Sequence, residues 1–284
     1  MDHRIKSLVF KALEKLPRSL GDMTYHSLQR LTAKSVNEEY DFQQATIRQF
    51  VNELDKLNLN FRDKKIVEIG SGWLPVLPYD LIFRYGSREV LTFDINEHYQ
   101  PKNIKEFNKF YTRHYAGTPP LTQALPESVK YFPNKDIIDT QIEAQSIDVM
   151  TTRNVLEHIP LGNLELIHRQ ACQYLKRDGF IVHQISPSDH RAYSDRSLSL
   201  WDFLKYSQSE WDLIQTRFDY HNRLRLPDYV SLFNRCGFKI AFLNYKSARM
   251  GQQLPAKIHP DFTNYSPEEL TAGSIIVILV PDKK

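Results

Sequence analysis

The chain has 284 residues, 41% of them apolar, and a formal net charge of +3. That length can bury a sizeable core as one large domain or a domain with an appendage, and the small charge, without a long basic block interleaved with aromatics, argues against nucleic acid as a partner. Cys172 and Cys236 make neither a disulfide framework nor a metal-ligand spacing. No apolar run reaches membrane-spanning length and Met1 to Phe10 has no signal-peptide core, so the expected setting is cytoplasmic, without integral membrane association.

Residues 1–60 read as a helical extension. Ile5, Leu8, Val9, Ala12, Leu13 and Leu16 share one face of a first helix ended by Pro17, and Ile47, Phe50, Val51, Leu54 and Leu57 form a second apolar stripe. The polar side of the first helix carries Arg4, Lys6, Lys11, Lys15 and Arg18. It is expected to be a solvated face on a helix packed against the domain, with an anionic membrane surface as the alternative.

Residues 61–284 follow an α/β rhythm. Ile66 to Ile69 is short, β-branched and apolar except for Glu68, the pattern of a strand buried on both faces. Gly70 and Gly72 then let the chain turn sharply and a ligand lie against bare backbone. Pro75 can open a helix whose apolar residues run to Tyr85 and stop at Gly86. A second strand, Val90 to Phe93, leads into Asp94, 24 positions after Gly70, where a carboxylate can accept from both hydroxyls of a ribose. The third glycine of a pyrophosphate loop is missing, because Pro75 stands in its place.

The E-x-G-x-G pattern of Glu68, Gly70 and Gly72 resembles the glycine motif of class I S-adenosylmethionine (SAM) dependent methyltransferases, although Leu74 stands where many of them have a further glycine. That resemblance implies SAM as cofactor, held by Glu68, Gly70, Ser71, Gly72 and Asp94. It also implies that helices before the first strand cover the cofactor or the substrate mouth, with Tyr25, Gln29 and Tyr40 as candidates. Asp136, twelve positions before Asp148, takes the place of the acid that accepts from the adenine amino group, and Asp139 is the nearby alternative. Thr151 to Pro160 is similar to the family's "LEHI" segment after the fourth strand. Asn154 there is a cofactor candidate, and Glu157 and His158 are substrate candidates, the other reading of His158 being a bond to local backbone.

Two longer passages interrupt the rhythm. Asn96 to Lys135 is polar and aromatic, with a turn at Gly117 to Pro120, and reads either as a substrate-facing cap or as helices patching the sheet. Ser186 to Pro227 resembles a region of a bacterial subgroup linked to surface polysaccharide or small-molecule modification. Lying after the fifth strand, it is expected on the substrate side. It offers His190 as a general base oriented by Asp189, and Trp201, Arg223 and Arg225 as substrate contacts. The other reading of the two arginines is pairing with Asp195 or Asp202 to hold the insertion shut. A metal on Asp189, His190 and Asp195 matches no ligand pattern, so none is expected.

These features predict a Rossmann-like open α/β sheet of about seven strands, mostly parallel with an antiparallel last strand, helices on both faces and the helical extension in front. The expected function is SAM-dependent methyl transfer to a small-molecule or glycan acceptor, as an O-methylation in surface-polysaccharide or related biosynthesis. A non-catalytic SAM-fold binding protein and a nicotinamide-dependent oxidoreductase are the alternatives.

Overall fold

A computed structural model of the chain describes residues 3–31, 34–115, 118–247 and 254–282. Two helices open it, α1 (His3–Glu14) and α2 (Arg18–Leu31), followed by the long α3 (Val36–Lys56). Next come β1 (Lys65–Ile69), α4 (Val76–Tyr79, continued by a wider turn over Asp80–Arg84), β2 (Glu89–Phe93), α5 (Pro101–His114) and β3 (Val129–Phe132). Then follow β4 (Ile147–Arg153), α6 (Leu161–Tyr174) and β5 (Leu175–Ile185). The chain closes with α7 (Gln208–Ile214), α8 (Leu226–Arg235), β6 (Phe238–Lys246), α9 (Pro267–Thr271) and β7 (Gly273–Pro281).

The strands make one seven-stranded sheet in the order β3-β2-β1-β4-β5-β7-β6. β7 runs antiparallel to both its neighbours, β5 and β6, and the other pairs are parallel. This is the Rossmann-like sheet the sequence predicts. Because side chains alternate along a strand, Ile66, Val90, Val149, Val182 and Ile278 point to one face, against Phe50 and Leu54 of α3 and Phe107 and Tyr111 of α5. Val67, Met150, Ile181 and Leu279 point to the other, against Leu164 and Ile167 of α6 and Leu232 and Phe233 of α8. Each such side chain, taken fully out of water, contributes about 1.5–3 kcal/mol, which fixes the strand ends relative to the helices.

Local chemistry sets the boundaries. Ser35 and Glu38 form a capping box that starts α3, Ser35 accepting from the Glu38 N–H and Glu38 from the Ser35 N–H. One polar chain crosses the α6 face of the core. The His168 Nδ1 lies 2.7 Å from the Leu164 carbonyl, the two Nε2 atoms of His168 and His183 lie 3.2 Å apart, and the His183 Nδ1 lies 2.8 Å from the Thr152 hydroxyl. Burial lowers the pKa of both rings and so favours the neutral pair, in which His168 donates from Nδ1, His183 donates from Nε2, and the Thr152 hydroxyl donates to His183. Both imidazoles are therefore neutral.

The passage from Asn96 to Lys135 supplies α5 and the edge strand β3, and Gly117 lies outside the described residues. Residues 186–227 form short turns and α7 around a separate small core of Trp201, Phe203, Leu204 and Trp211, joined by Phe262 and Leu270. The helical extension docks on this segment. Tyr25 stacks on Phe218 with ring centroids 4.5 Å apart and donates to its carbonyl, while Arg217 pairs with Asp22 at 2.9 Å. The apolar face expected on α1 is only partly used: Leu13 is buried together with Phe10, but Ile5 and Leu8 are 54% and 69% exposed. α1 instead meets residues 214–218, where the Ser7 hydroxyl donates to the Ile214 carbonyl and Phe10 lies against the Phe218 ring.

Candidate active site

β1 ends in a turn that only glycine fits well. Gly70 has φ +86° and Gly72 φ +65°, in the region where a Cβ crowds the backbone. At Gly70 a Cβ would also stand 2.3 Å from a methyl of Val155, so the β1 and β4 loops touch there. At Gly72 a Cβ would meet nothing within 4 Å. The Ser71 N–H donates to Asp94 Oδ2 at 3.0 Å and the Asn96 N–H to Oδ1 at 2.9 Å, which ties the loop to the acid at the end of β2. Burial raises the Asp94 pKa, and the nearby His98 and the backbone N–H groups act against that rise.

A cavity of about 520 Å³ opens over these strand ends. Gly70, Gly72, Asp94, Asp136, Asn154 and His158 line it, as the sequence leads one to expect, and so do Tyr25 and Gln29 of α2. Phe93, Ile95, Ile137 and Ile138 give it an apolar wall beside Asp136. Asp139 lies in a different surface hollow, which favours Asp136 of the two acids. Asn154 holds φ +54°, a conformation asparagine tolerates better than most residues.

Several expected contacts are placed elsewhere. Glu68 and Ser71 do not line the cavity; they sit behind the loop, where the Thr92 hydroxyl is close to both the Glu68 carboxyl and the Ser71 hydroxyl. Burial pushes Glu68 up to about 8, so it is mostly protonated near neutral pH and able to donate. Tyr40 is buried against Phe110, Tyr111 and Tyr115, away from the cavity. Conversely, Arg153, Glu39 and Phe42 line the cavity without having stood out in the sequence. Arg153 lies 4.0 Å from Glu39 and 5.5 Å from the Phe42 ring. Its place at the end of β4, next to Asn154, was the available signal.

A second cavity of about 500 Å³ lies between the extension and residues 186–227. Tyr25 and His158 line both cavities, so the two adjoin. Its walls carry aromatic Phe10, Tyr206, Trp211 and Phe218, basic Lys6 and Lys11, and His190 and His221. The His158 Nδ1 lies 2.8 Å from the Tyr220 carbonyl, so the ring is bound by the insertion and not by local backbone. Its Nε2 therefore holds the lone pair. His190 stands edge-on to His158 with centroids 4.9 Å apart, its Nε2 3.3 Å from the Ser186 carbonyl. Burial, followed by the neighbouring His158 charge, pushes His190 down to about 3, so it is neutral at pH 7.

The roles expected for four residues of the insertion are corrected by their partners. Asp189 does not orient His190: its carboxylate is gripped by Arg191, with contacts of 2.7, 3.0 and 3.2 Å, because the arginine fork two residues on reaches it directly. Arg225 is wholly buried and donates to the carbonyls of Arg223, Leu270 and Pro187. Arg223 is 3% exposed and donates to the carbonyls of Phe203 and Tyr206 and to Gln208. Most of their partners are backbone oxygens left unpaired by irregular chain, and neither Asp195 nor Asp202 is among the partners named. Trp201 is 2% exposed in the small core, so it too faces away from the substrate side.

A glycine loop, an acid at the end of the second strand, an apolar slot with a second acid, and an adjoining polar cavity fit an enzyme that binds a nucleoside cofactor. The chain belongs to the methyltransferase-domain family, whose model matches residues 39–241, and it is a class I SAM-dependent methyltransferase. Among solved structures it is similar to a SAM-dependent methyltransferase from Methanosarcina mazei, at 19% identity over 77% of this chain and 92% of that one, with a TM-score of 0.47. It is also similar to one from Mesorhizobium loti, at 12% identity over 84% and 96% of the two chains, with a TM-score of 0.48. No curated protein matches the chain. Among the described residues no helix is long and apolar enough to cross a membrane.

Proposed function

We propose that this enzyme O-methylates a small polar acceptor, a sugar or related glycan building block, in surface-polysaccharide or similar biosynthesis. The observation that carries the reading is the meeting of the two cavities at Tyr25 and His158. When bound, SAM supplies an electrophilic methyl group on its sulfonium. Gly70, Gly72 and Asp94 would hold its ribose side and Asp136 with the apolar wall its base, while Asn154 and Arg153 would flank its amino-acid end.

The acceptor cavity supports the substrate class. Aromatic faces such as Trp211 and Tyr206 suit the apolar faces of sugar rings, and Lys6 and Lys11 favour an acceptor carrying a carboxylate or phosphate. Position does most of the work in such a displacement, because holding the acceptor oxygen at attack distance replaces a bimolecular encounter. A hydroxyl must also lose its proton, and His158 and His190 are two of the imidazoles that line the cavity. A reducing compartment, the cytoplasm, suits the free cysteines Cys172 and Cys236.

The test is transfer of radiolabelled methyl from SAM to a panel of sugars, sugar acids and nucleotide sugars. Transfer to a carbohydrate hydroxyl, reduced in His190→Ala at unchanged product affinity, is the expected result. Transfer confined to non-carbohydrate acceptors would overturn the substrate class.

A further inference from the structure

Glu157 is the residue whose surroundings its place in the fold leaves unexplained. It lies on the turn between β4 and α6, its side chain is 0% exposed, and only one of its oxygens is satisfied: Oε1 accepts from the Ser186 N–H at 3.2 Å, while Oε2 has no partner. A buried acceptor left in this state costs about 1–3 kcal/mol, and in native proteins such a group marks a catalytic or strained site or one that takes a water or an ion. No lysine or arginine within ion-pair distance of Glu157 occurs among the described residues.

Two imidazoles stand beside it. One ligating atom from each of Glu157, His158 and His190 falls within 4.8 Å of the other two. The hydrogen bonds already made decide which nitrogens are free. His158 gives its Nδ1–H to the Tyr220 carbonyl, which leaves the Nε2 lone pair. His190 directs Nε2 at the Ser186 carbonyl, which leaves the lone pair on Nδ1. A histidine whose second nitrogen is held by a carbonyl is the usual outer arrangement around a metal-bound imidazole.

We propose that Glu157, His158 and His190 bind one divalent transition-metal ion at the junction of the cofactor and acceptor cavities. Two imidazoles and a carboxylate suit zinc or its first-row neighbours over magnesium or calcium, which prefer all-oxygen shells. Three protein ligands leave at least one position open, and the acceptor cavity lies on that side, since His158 and His190 both line it. An acceptor oxygen taking the open position is held beside the methyl donor and made more acidic, its proton passing to water. The imidazoles then act as ligands instead of bases. That last role rests on the proposed methyl transfer; binding of the ion does not.

The experiment is a titration of the chelator-treated full-length protein with cobalt(II), followed by visible absorption and competed with zinc. One equivalent should bind with ligand-field bands that zinc abolishes. His190→Ala and Glu157→Gln should each weaken binding by more than about tenfold, and His114→Ala, on the exposed end of α5, should leave it unchanged. Affinity for S-adenosylhomocysteine in His190→Ala reports that the fold is intact, so the test survives if Glu157→Gln fails to fold. Absence of stoichiometric uptake by the wild type, or uptake indifferent to His190→Ala, overturns the proposal. Uptake without methyl transfer to any acceptor would sink the proposed reaction and leave the metal site standing, and transfer without uptake would do the reverse.

Discussion

Gly70 and Gly72 share positive φ but differ in what surrounds them. An alanine at either pays for the left-handed backbone with about 1–2 kcal/mol. Only at Gly70 does the new methyl collide with Val155, adding an overpacking cost of about 1–3 kcal/mol. Urea denaturation should therefore rank Gly70→Ala below Gly72→Ala in stability; the reverse order would mean that the β1 and β4 loops do not meet as described. Arg225 makes a second residue-scale case. Its guanidinium serves three carbonyls in a fully buried site, so Arg225→Met should lose about 3 kcal/mol or more while affinity for S-adenosylhomocysteine holds. A loss of affinity without a loss of stability would return the residue to the binding site.

At the scale of elements, the extension α1–α2 acts as a wall shared by both cavities. Its hold on residues 214–219 rests on the Tyr25 stack and hydrogen bond, the Arg217–Asp22 pair, the Arg217 N–H to Glu14, the Arg217 guanidinium to the Arg18 carbonyl, the Phe10–Phe218 ring contact and the Ser7 hydroxyl to the Ile214 carbonyl. Tyr25→Ala removes the first two. Hydrogen exchange should then quicken in residues 3–31 while β1 and β4 keep their protection, and product affinity should fall because Tyr25 lines the cofactor cavity. Uniform loss of protection across the sheet would show instead that the extension is part of the core. The sequence made the sheet legible because β1, β4 and β7 are apolar runs whose burial depends on local pattern, and the glycine turn and Asp94 follow each other at fixed spacing. It did not make the insertion legible. Whether Arg223 faces a ligand or a carbonyl depends on where an irregular backbone leaves acceptors unpaired, which no spacing encodes. Lys6 and Lys11 likewise read as solvated because nothing in α1 announces that residues 186–227 will close a cavity over them.

Across the whole molecule, burial of titratable groups sets a pH optimum for stability. Burial pushes His168 down to about 4 and His183 well below its ordinary value, whereas both titrate near 6.5 in the unfolded chain. Between those values the unfolded state binds more protons, so stability falls as pH drops below about 6.5, by up to about 1.4 kcal/mol per unit for each imidazole. Glu68 has the opposite sign: raised to about 8, it ionises first in the unfolded chain, and stability falls as pH climbs from about 4.5 toward 8. Urea midpoints measured at about pH 5, 6.5 and 8 should peak at the middle value, and Glu68→Gln should flatten the alkaline side in part, because burial raises Glu157 to about 8 as well and gives it the same sign. A midpoint unchanged between pH 5 and 6.5 would mean that the His168–His183 chain is not held neutral.

Whether the Gly70–Gly72 loop and Asp94 hold SAM is tested by calorimetric titration of the wild type and Asp94→Ala with S-adenosylhomocysteine, with NADH as the comparison ligand. The wild type should show one micromolar site, about 10–100-fold weaker in the variant through loss of charge-assisted hydrogen bonds, and NADH should give no heat. Binding of NADH, or product affinity indifferent to Asp94→Ala, would contradict SAM binding there.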